Sequence, residues 1–397
     1  MLNFRHLLEL DELAREDGKR YPKKRGLYST IISEKGKHII GIVGPRGVGK
    51  TIILKQMAVN RENAFYLSLD TIEEEDLFDA AKTLSERYGI KLLLLDEIHF
   101  QKEYEKKLKK IFDFLDIKVI FSSSVALSMI ESSYDLSRRV KLVNLYPFTL
   151  REYLFFKKNV ALPHLTLDDI LNKKWDTRHL RYEFLFEDYL KGGLMPFSLE
   201  EPDIFPLLEN IIQKIIRKDI PSVVSLKTDE LFLIEKTLKF IGKSYVDGIN
   251  YSSISRNVGI TKYKAESYIR LLEKAFVLNV VFPIGTNVLK EPKVLMYLPL
   301  RLLYQDLNQA LGGMREDFFA EMMRIRGMDF HYLKTRRGAK TPDFLVKQDA
   351  GDIIVETGGK GKGREQFKGI PTGKKLILSH PSTFEGVKRP LFLLGFI

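Results

Sequence analysis

Short apolar blocks alternate with amphipathic stretches over the first 145 positions of the chain. Residues 38–43 (HIIGIV) read as a strand that runs into a glycine-rich turn, and a helical pattern follows from Gly49 to about Asn60. Further strands are expected at 64–69, 91–95, 117–121 and 140–145, with helices at 75–88 and 102–114 between them. The run at 91–95 is continuously apolar, as in a strand covered on both faces. Strands alternating with helices predict a parallel sheet between helical layers.

After Pro147 the spacing becomes mostly helical, with Thr149 the expected N-cap of the segment FTLREYLFF. Gly192, Gly193 and Pro196 interrupt it, and helices resume near Pro206. Within 230–283, SSISRNVG and TKYKAESYIRLLEKA read as two helices joined by a turn at Gly259-Ile260, with VLNVVFPI as a following strand. That is helix-turn-helix spacing with a wing-like hairpin. From about Gly312 a mixed segment is expected. Its helix covers 315–326 and its short strands lie near 329–333, 342–347, 352–356, 375–378 and 391–396. No internal repeat or low-complexity linker is present in the sequence.

A chain of 397 residues exceeds one ordinary core, so several domains are expected. With 44 % hydrophobic and 29 % charged residues and no long apolar run, the composition is that of a soluble globular protein. The acidic residues mixed into the opening MLNFRHLLELDELARED exclude a secretory signal and point to the cytoplasm, with no membrane partner. The absence of cysteine excludes disulfides, thiol catalysis and cysteine-held zinc. Of the net charge of +12, most lies in residues 331–397, which hold 13 Lys and Arg against 6 Asp and Glu. Such a segment either contacts DNA or RNA or is a solvated face.

Candidate chemistry changes this picture at one place above all. Gly44, Pro45, Arg46, Gly47, Val48, Gly49, Lys50 and Thr51 fit G-x-x-x-x-G-K-[ST] between a strand and a helix. Glycines let the loop turn its backbone N–H groups onto phosphates, at the positive end of the following helix. Lys50 is then expected on the β- and γ-phosphates of ATP, and Thr51 on Mg²⁺. The strand of LLLLDE delivers two acids at its carboxyl end: Asp96 for the Mg²⁺ shell and Glu97 to polarise the attacking water. Ser122 ends the next strand and is the candidate sensor of the γ-phosphate. Ser124 is the candidate N-cap of a helix near Val125. Arg138 or Arg139 either completes a neighbour's ATP site in a homo-oligomer or forms a surface ion pair. His99 reads as a structural residue or a hydrogen-bonding neighbour of the acids, since no His-rich cluster has metal-site spacing.

These residues resemble the bacterial and archaeal predicted ATPases of the AAA+ superfamily. The resemblance rests on GPRGVGKT, LLLLDEI, SRRVKLVNLYPFTLREYL, YLKGGLMP, IIRKDI, SSISRNVGI…YIRLLEKAFVL and TPDFLV…IIVETGG, in that order. It implies an α/β fold. A P-loop ATPase domain with a three-layer parallel sheet (1–145) is followed by a helical lid or linker region (146–225) and a winged-helix domain (226–310). A small α+β restriction-endonuclease-like domain of unknown function (311–397) completes it. The family has Gly-Arg where this chain has Arg138-Arg139, which makes Arg139 the match, and Ser123 replaces a glycine of its sensor strand.

Within that last domain, Asp343 and Glu356 resemble the acids of PD-x(n)-(D/E)-x-K nucleases, and Glu316 is a third candidate acid. Gly358 stands where the lysine belongs, and Lys360 is the candidate replacement. The expectation is a retained fold with a degenerate site, whose GGKGKGR run contacts phosphate or is a solvated loop. Lys262, Lys264, Arg270 and Lys274 sit on the second helix of the helix-turn-helix unit, which either reads DNA or packs on neighbours. The leading expectation is a Mg-ATP-hydrolysing switch or motor acting on nucleic acid. The alternatives are a signalling or protein-partner-handling ATPase and an ATP-regulated nuclease.

Overall fold

The computed structural model describes residues 4–70, 77–124, 136, 138–244, 248–285, 291–333, 341–359, 361–367 and 373–397. It forms two compact units. The first comprises Met1–Tyr146 with Arg217–Ser225 and Lys274–Phe276, and the second comprises Pro147–Ile216, Leu226–Glu273 and Val277–Ile397. Among the described residues, no helix is long and apolar enough to cross a membrane.

In the first unit, β1 (Ile39–Val43), β2 (Ala64–Ser68), β3 (Leu92–Asp96), β4 (Lys118–Ser123) and β5 (Val140–Asn144) form one sheet in the order β2-β3-β4-β1-β5. All neighbouring strands are parallel. The leucine run of β3 shows why. Leu93 and Leu95 pack with Leu108 and Ile111 on one face. Leu92 and Leu94 pack with Ile53, Leu54 and Met57 on the other. A side-chain period of two in a strand buried on both faces demands apolar residues at every position. Truncating Leu94 to Ala removes contacts that cannot refill, at a cost of about 2–5 kcal/mol. The helix Lys50–Val59 follows β1, the helix Leu77–Tyr88 connects β2 to β3, and the helix Tyr104–Phe114 connects β3 to β4. Positions 75–76 of the expected helix lie outside the described residues, as does the helix expected near Val125. Because every strand runs the same way, the segments after β1, β3 and β4 emerge at one edge of the sheet. That edge positions the site.

In the second unit, Thr149 caps the helix Leu150–Lys158 through a reciprocal pair: Glu152 N donates to Thr149 Oγ1 at 3.2 Å, and Thr149 N to Glu152 Oε2 at 3.3 Å. The helices Tyr251–Val258 and Lys262–Lys274 are joined at Gly259, whose φ of 80° ends the first of them. Antiparallel β6 (Leu278–Val281) and β7 (Lys293–Met296) follow. A mixed sheet then runs β12-β11-β10-β9-β8, built from β8 (Phe330–Tyr332), β9 (Phe344–Val346), β10 (Ile353–Gly358), β11 (Lys374–Ser379) and β12 (Lys388–Pro390).

Two expectations are corrected here. The helix predicted over 315–326 spans Leu307–Ile325 and contains Gly312 and Gly313. Gly313 is held by tertiary packing, since a Cβ there would lie 2.8 Å from the Arg301 guanidinium. The strand predicted at 391–396 is instead the 3₁₀ helix Leu391–Phe396, buried at every position. A short run that is apolar throughout carries no period to separate the two conformations.

Candidate functional site

The loop between β1 and the helix Lys50–Val59 is shaped by close approach. A Cβ on Gly44 would sit 1.9 Å from the Leu145 carbonyl oxygen, so only glycine fits beside β5. Gly49 caps the helix with φ 91°, a left-handed conformation that disfavours side chains. Lys50 is buried, and its Nζ donates to the Gly44 and Pro45 carbonyls, each at 2.8 Å. Burial pushes its pKa down, against the opposing pull of Glu97.

Across the sheet edge, Asp96 ends β3 and is almost fully buried. Its Oδ2 accepts from Thr51 Oγ1 at 2.7 Å and from Tyr66 Oη at 2.8 Å, and its Oδ1 accepts from Ser122 Oγ. Burial, reinforced by the neighbouring Glu97 charge, raises the Asp96 pKa, and these three hydroxyls partly offset the rise. Glu97 has φ 53°, unusual for a residue with a side chain. Its N–H donates to Ser122 Oγ at 3.0 Å. Its carboxylate meets Arg46 Nη1 at 3.3 Å and the Ser124 N–H at 3.1 Å. His99, fully buried behind it, lies 3.3 Å from Glu97 Oε2 and 3.2 Å from Ser123 Oγ through Nδ1.

Asp219 completes the cluster. Arg46 donates to both of its oxygens, Nε at 2.5 Å and Nη2 at 2.7 Å, and Ser124 Oγ donates at 3.3 Å. Burial works to raise the Asp219 pKa, but His99 and Arg46 beside it outweigh that and hold it at about 2. The same pairing raises the Arg46 pKa against burial.

Lys50, Thr51, Asp96, Glu97 and Ser122 thus stand together at one sheet edge. Arg139 does not join them. It precedes β5 and donates to Asp113 at 2.9 and 3.1 Å. Its backbone carbonyl meets Ile39, which places it at the opposite edge from the loop. One five-residue strand, roughly 16 Å, separates the two edges.

In the second unit, Asp343 Oδ2 accepts from Thr357 N at 2.7 Å and Thr357 Oγ1 at 2.8 Å. Glu356 pairs with Lys362 at 2.5 Å, and Glu316 with Lys293 at 2.5 Å. Burial, then Asp343, pushes the Glu356 pKa up to about 7. Lys360 lies outside the described residues, and Lys362 is the lysine that reaches Glu356. Among the described residues, no group of three or more acids or histidines is placed to hold a metal ion.

Two residues of the first cluster, Tyr66 and Asp219, have no assignment in the sequence, and Arg46 is assigned there only as a member of the loop, with no acid partner. Tyr66 alternates regularly within β2, and Arg46 occupies a freely variable position of the loop motif. Asp219 lies inside IIRKDI, far along the chain, where nothing in the local pattern separates it from a surface acid.

A parallel sheet whose interior strand β1 feeds this loop, with the loop threonine touching the acid of β3, defines the class as a P-loop domain. Residues 36–154 match the family model described as AAA domain, and the parallel sheet with its helices has the fold of a P-loop AAA+ domain. Residues 183–297 match a domain of unknown function (DUF8612). An uncharacterized protein of Methanocaldococcus jannaschii is 29 % identical over 399 residues, covering 89 % of this chain and 83 % of its own length. Two solved structures overlap loosely. The Aeropyrum pernix Orc1 protein in complex with DNA is 13 % identical, with 77 % of this chain and 91 % of that one covered and a TM-score of 0.29. The Thermotoga maritima RuvB Holliday junction branch migration motor is 16 % identical, with 69 % and 88 % covered and a TM-score of 0.27. Overlaps that loose carry no weight for function.

Proposed function

We propose that the first unit binds and hydrolyses Mg-ATP, and that the chain uses this cycle as a switch or motor on nucleic acid. The contact between Thr51 Oγ1 and Asp96 Oδ2, at 2.7 Å, carries the nucleotide reading. It brings a hydroxyl and a carboxylate together at the loop, the oxygen donor set that suits Mg²⁺. Thr51 and Asp96 are the residues that would hold the ion, which offsets phosphate charge when bound. Lys50 supplies a buried ammonium to the phosphates, beside backbone N–H groups at a helix N-terminus. Glu97 is the base that orients and polarises water, and Ser122 ties it to Asp96 by contacting both residues. In this arrangement Glu97 is engaged by Arg46 and Ser124, so turnover requires it to exchange those donors for water.

The nucleic-acid half of the reading is supported by the helix-turn-helix order of 251–274, the hairpin after it and the basic segment 331–397. One observation favours a protein-handling ATPase instead. Lys262 pairs with Glu291 at 2.6 Å, Lys264 with Glu230 at 3.7 Å and Arg270 with Glu266 at 2.6 Å. DNA must displace those acids. An ATP-regulated nuclease has less support, because Glu316 and Glu356 are each taken up by a lysine.

ATP turnover measured with and without DNA and RNA across a salt series tests the proposal. Stimulation that fades steeply with salt is the expected result. Turnover indifferent to nucleic acid at low salt, alongside nucleotide-dependent capture of a protein, favours the second reading. No turnover under any condition removes the first.

A further inference from the structure

The second unit contains a cavity of about 230 Å³ between the hairpin strand β7, the helix Leu307–Ile325 and the end of β10. Four cations line it: Lys293, Arg301, Arg315 and Lys362. Three have a carboxylate each. Arg301 donates to Asp317 at 2.8 and 3.0 Å, Lys293 meets Glu316 at 2.5 Å, and Lys362 meets Glu356 at 2.5 Å. Arg315 has none. Among the described residues no acid or carbonyl accepts from it, and its Nε is buried without a partner. Burial lowers its pKa, and no carboxylate raises it. The neighbouring His380 is itself kept below its usual pKa, by burial first and by the Arg315 charge second.

A half-buried guanidinium with no counter-charge is costly, and proteins retain such groups where an anion arrives. The wall beside it is bare: a Cβ on Gly359 would lie 3.9 Å from Arg315 Nη1 and 4.0 Å from Nη2, with no nearer atom. The planar guanidinium fork matches two phosphate oxygens. Lys293 and Lys362 line the same cavity and add positive charge to it. The volume holds a phosphate with one sugar attached, at about 30 Å³ for each water displaced.

We propose that this cavity is a binding site for a phosphate monoester, with Arg315 as its anchoring cation. The site is independent of the Gly44–Thr51 loop. Its ligand is either a free sugar phosphate or the phosphorylated end of a nucleic-acid strand.

The test uses the full chain carrying Lys50→Ala, to silence the loop, and compares three proteins: Arg315 intact, Arg315→Ala and Gly359→Asp. The aspartate places an internal carboxylate against the guanidinium while keeping the arginine, so it decides the matter even where Arg315→Ala folds poorly. Binding of inorganic phosphate and ribose 5-phosphate is followed by phosphorus NMR at constant ionic strength. Both substitutions are expected to weaken binding by about tenfold or more, the scale of losing one charge-assisted pair. Gly359→Asp is also expected to raise the melting temperature. Oligonucleotides with and without a terminal phosphate separate the two sources. Preference for the phosphorylated end identifies the strand, and equal binding identifies the free sugar phosphate. Absence of binding to the Arg315-intact chain, or equal binding by all three proteins, overturns the proposal.

Discussion

Arg46 of the phosphate loop grips Asp219 with two nitrogens, at 2.5 and 2.7 Å, although the residues lie 173 positions apart in sequence. Asp219 is fully buried, so this pair ties the loop to the segment Arg217–Ser225 with little solvent screening. Removing one partner of a buried pair strands the other charge, at a cost of about 3–5 kcal/mol. Asp219→Ala is expected to lower the unfolding free energy by that amount, and Arg46→Met with Asp219→Ala to recover part of it. Denaturant unfolding of the two single variants and the double variant checks this. Additive losses would mean that the two side chains act independently. The sign with pH follows from the Asp219 pKa of about 2, depressed from 3.8. The pair stabilises fully above the unfolded value and loses its contribution as pH falls toward 2.

The chemistry at the sheet edge separates into binding and turnover. Lys50→Ala removes the buried ammonium that donates to the Gly44 and Pro45 carbonyls of the loop, so nucleotide affinity is expected to fall beyond detection. Glu97→Gln keeps the shape and the contact with Ser122 but loses the negative charge proposed to polarise water. Bound ATP is expected to persist, with turnover reduced by about 10²-fold or more. Filter binding and single-turnover hydrolysis measured on both variants distinguish the roles. Full hydrolysis by Glu97→Gln would assign the base elsewhere.

Arg139 tests whether the site is shared between subunits. It stands at the far sheet edge, held by Asp113 and 5.7 Å from the Phe112 ring, and is out of reach of its own loop. A role in catalysis therefore requires a second copy of the chain. Arg139→Ala is expected to leave nucleotide affinity unchanged and to lower turnover, and wild-type turnover per chain is expected to rise with protein concentration. A specific activity that is constant on dilution, and unaltered in the variant, would reduce Arg139 to a surface ion pair, worth about 0–1 kcal/mol.

The first unit was largely legible because its signals are local. The leucine run of β3 and the turn beginning at Gly44 each declare strand and loop within ten residues, and parallel pairing then forces Asp96 and Ser122 to one edge. What stayed hidden depends on contacts across the chain. Asp219 meets Arg46 only after folding, and Tyr66 reaches Asp96 because β2 happens to neighbour β3. The helix expected from 315 begins earlier, at Leu307, and runs through Gly312 and Gly313 despite their low helix propensity, with Arg301 packed over Gly313. Lys362, not the residue at the motif spacing, meets Glu356, and Gly358 permits it, since a Cβ there would lie 2.6 Å from Lys362 Cγ.

Glu321 gives the second unit a titration of its own. The side chain is fully buried on the helix Leu307–Ile325. Its Oε2 accepts from Leu298 N at 3.1 Å, while Oε1 has no partner. Burial, with Asp317 adding to it, pushes the pKa up to about 8 from 4.5, against the pull of the Leu298 N–H. The folded state therefore holds a proton that the unfolded chain releases near 4.5. Stability from this group is complete below that value and is lost progressively as pH rises through about 8. Glu321→Gln fixes the neutral form and keeps the acceptor for Leu298. The variant is expected to unfold at the same midpoint as the wild type near pH 4.5 and to be more stable at pH 8, by about 4 kcal/mol. Thermal unfolding followed across that range measures the gap. A difference that stays constant with pH would show that Glu321 does not titrate in the window, and a variant less stable at every pH would show that the amide breaks the packing instead.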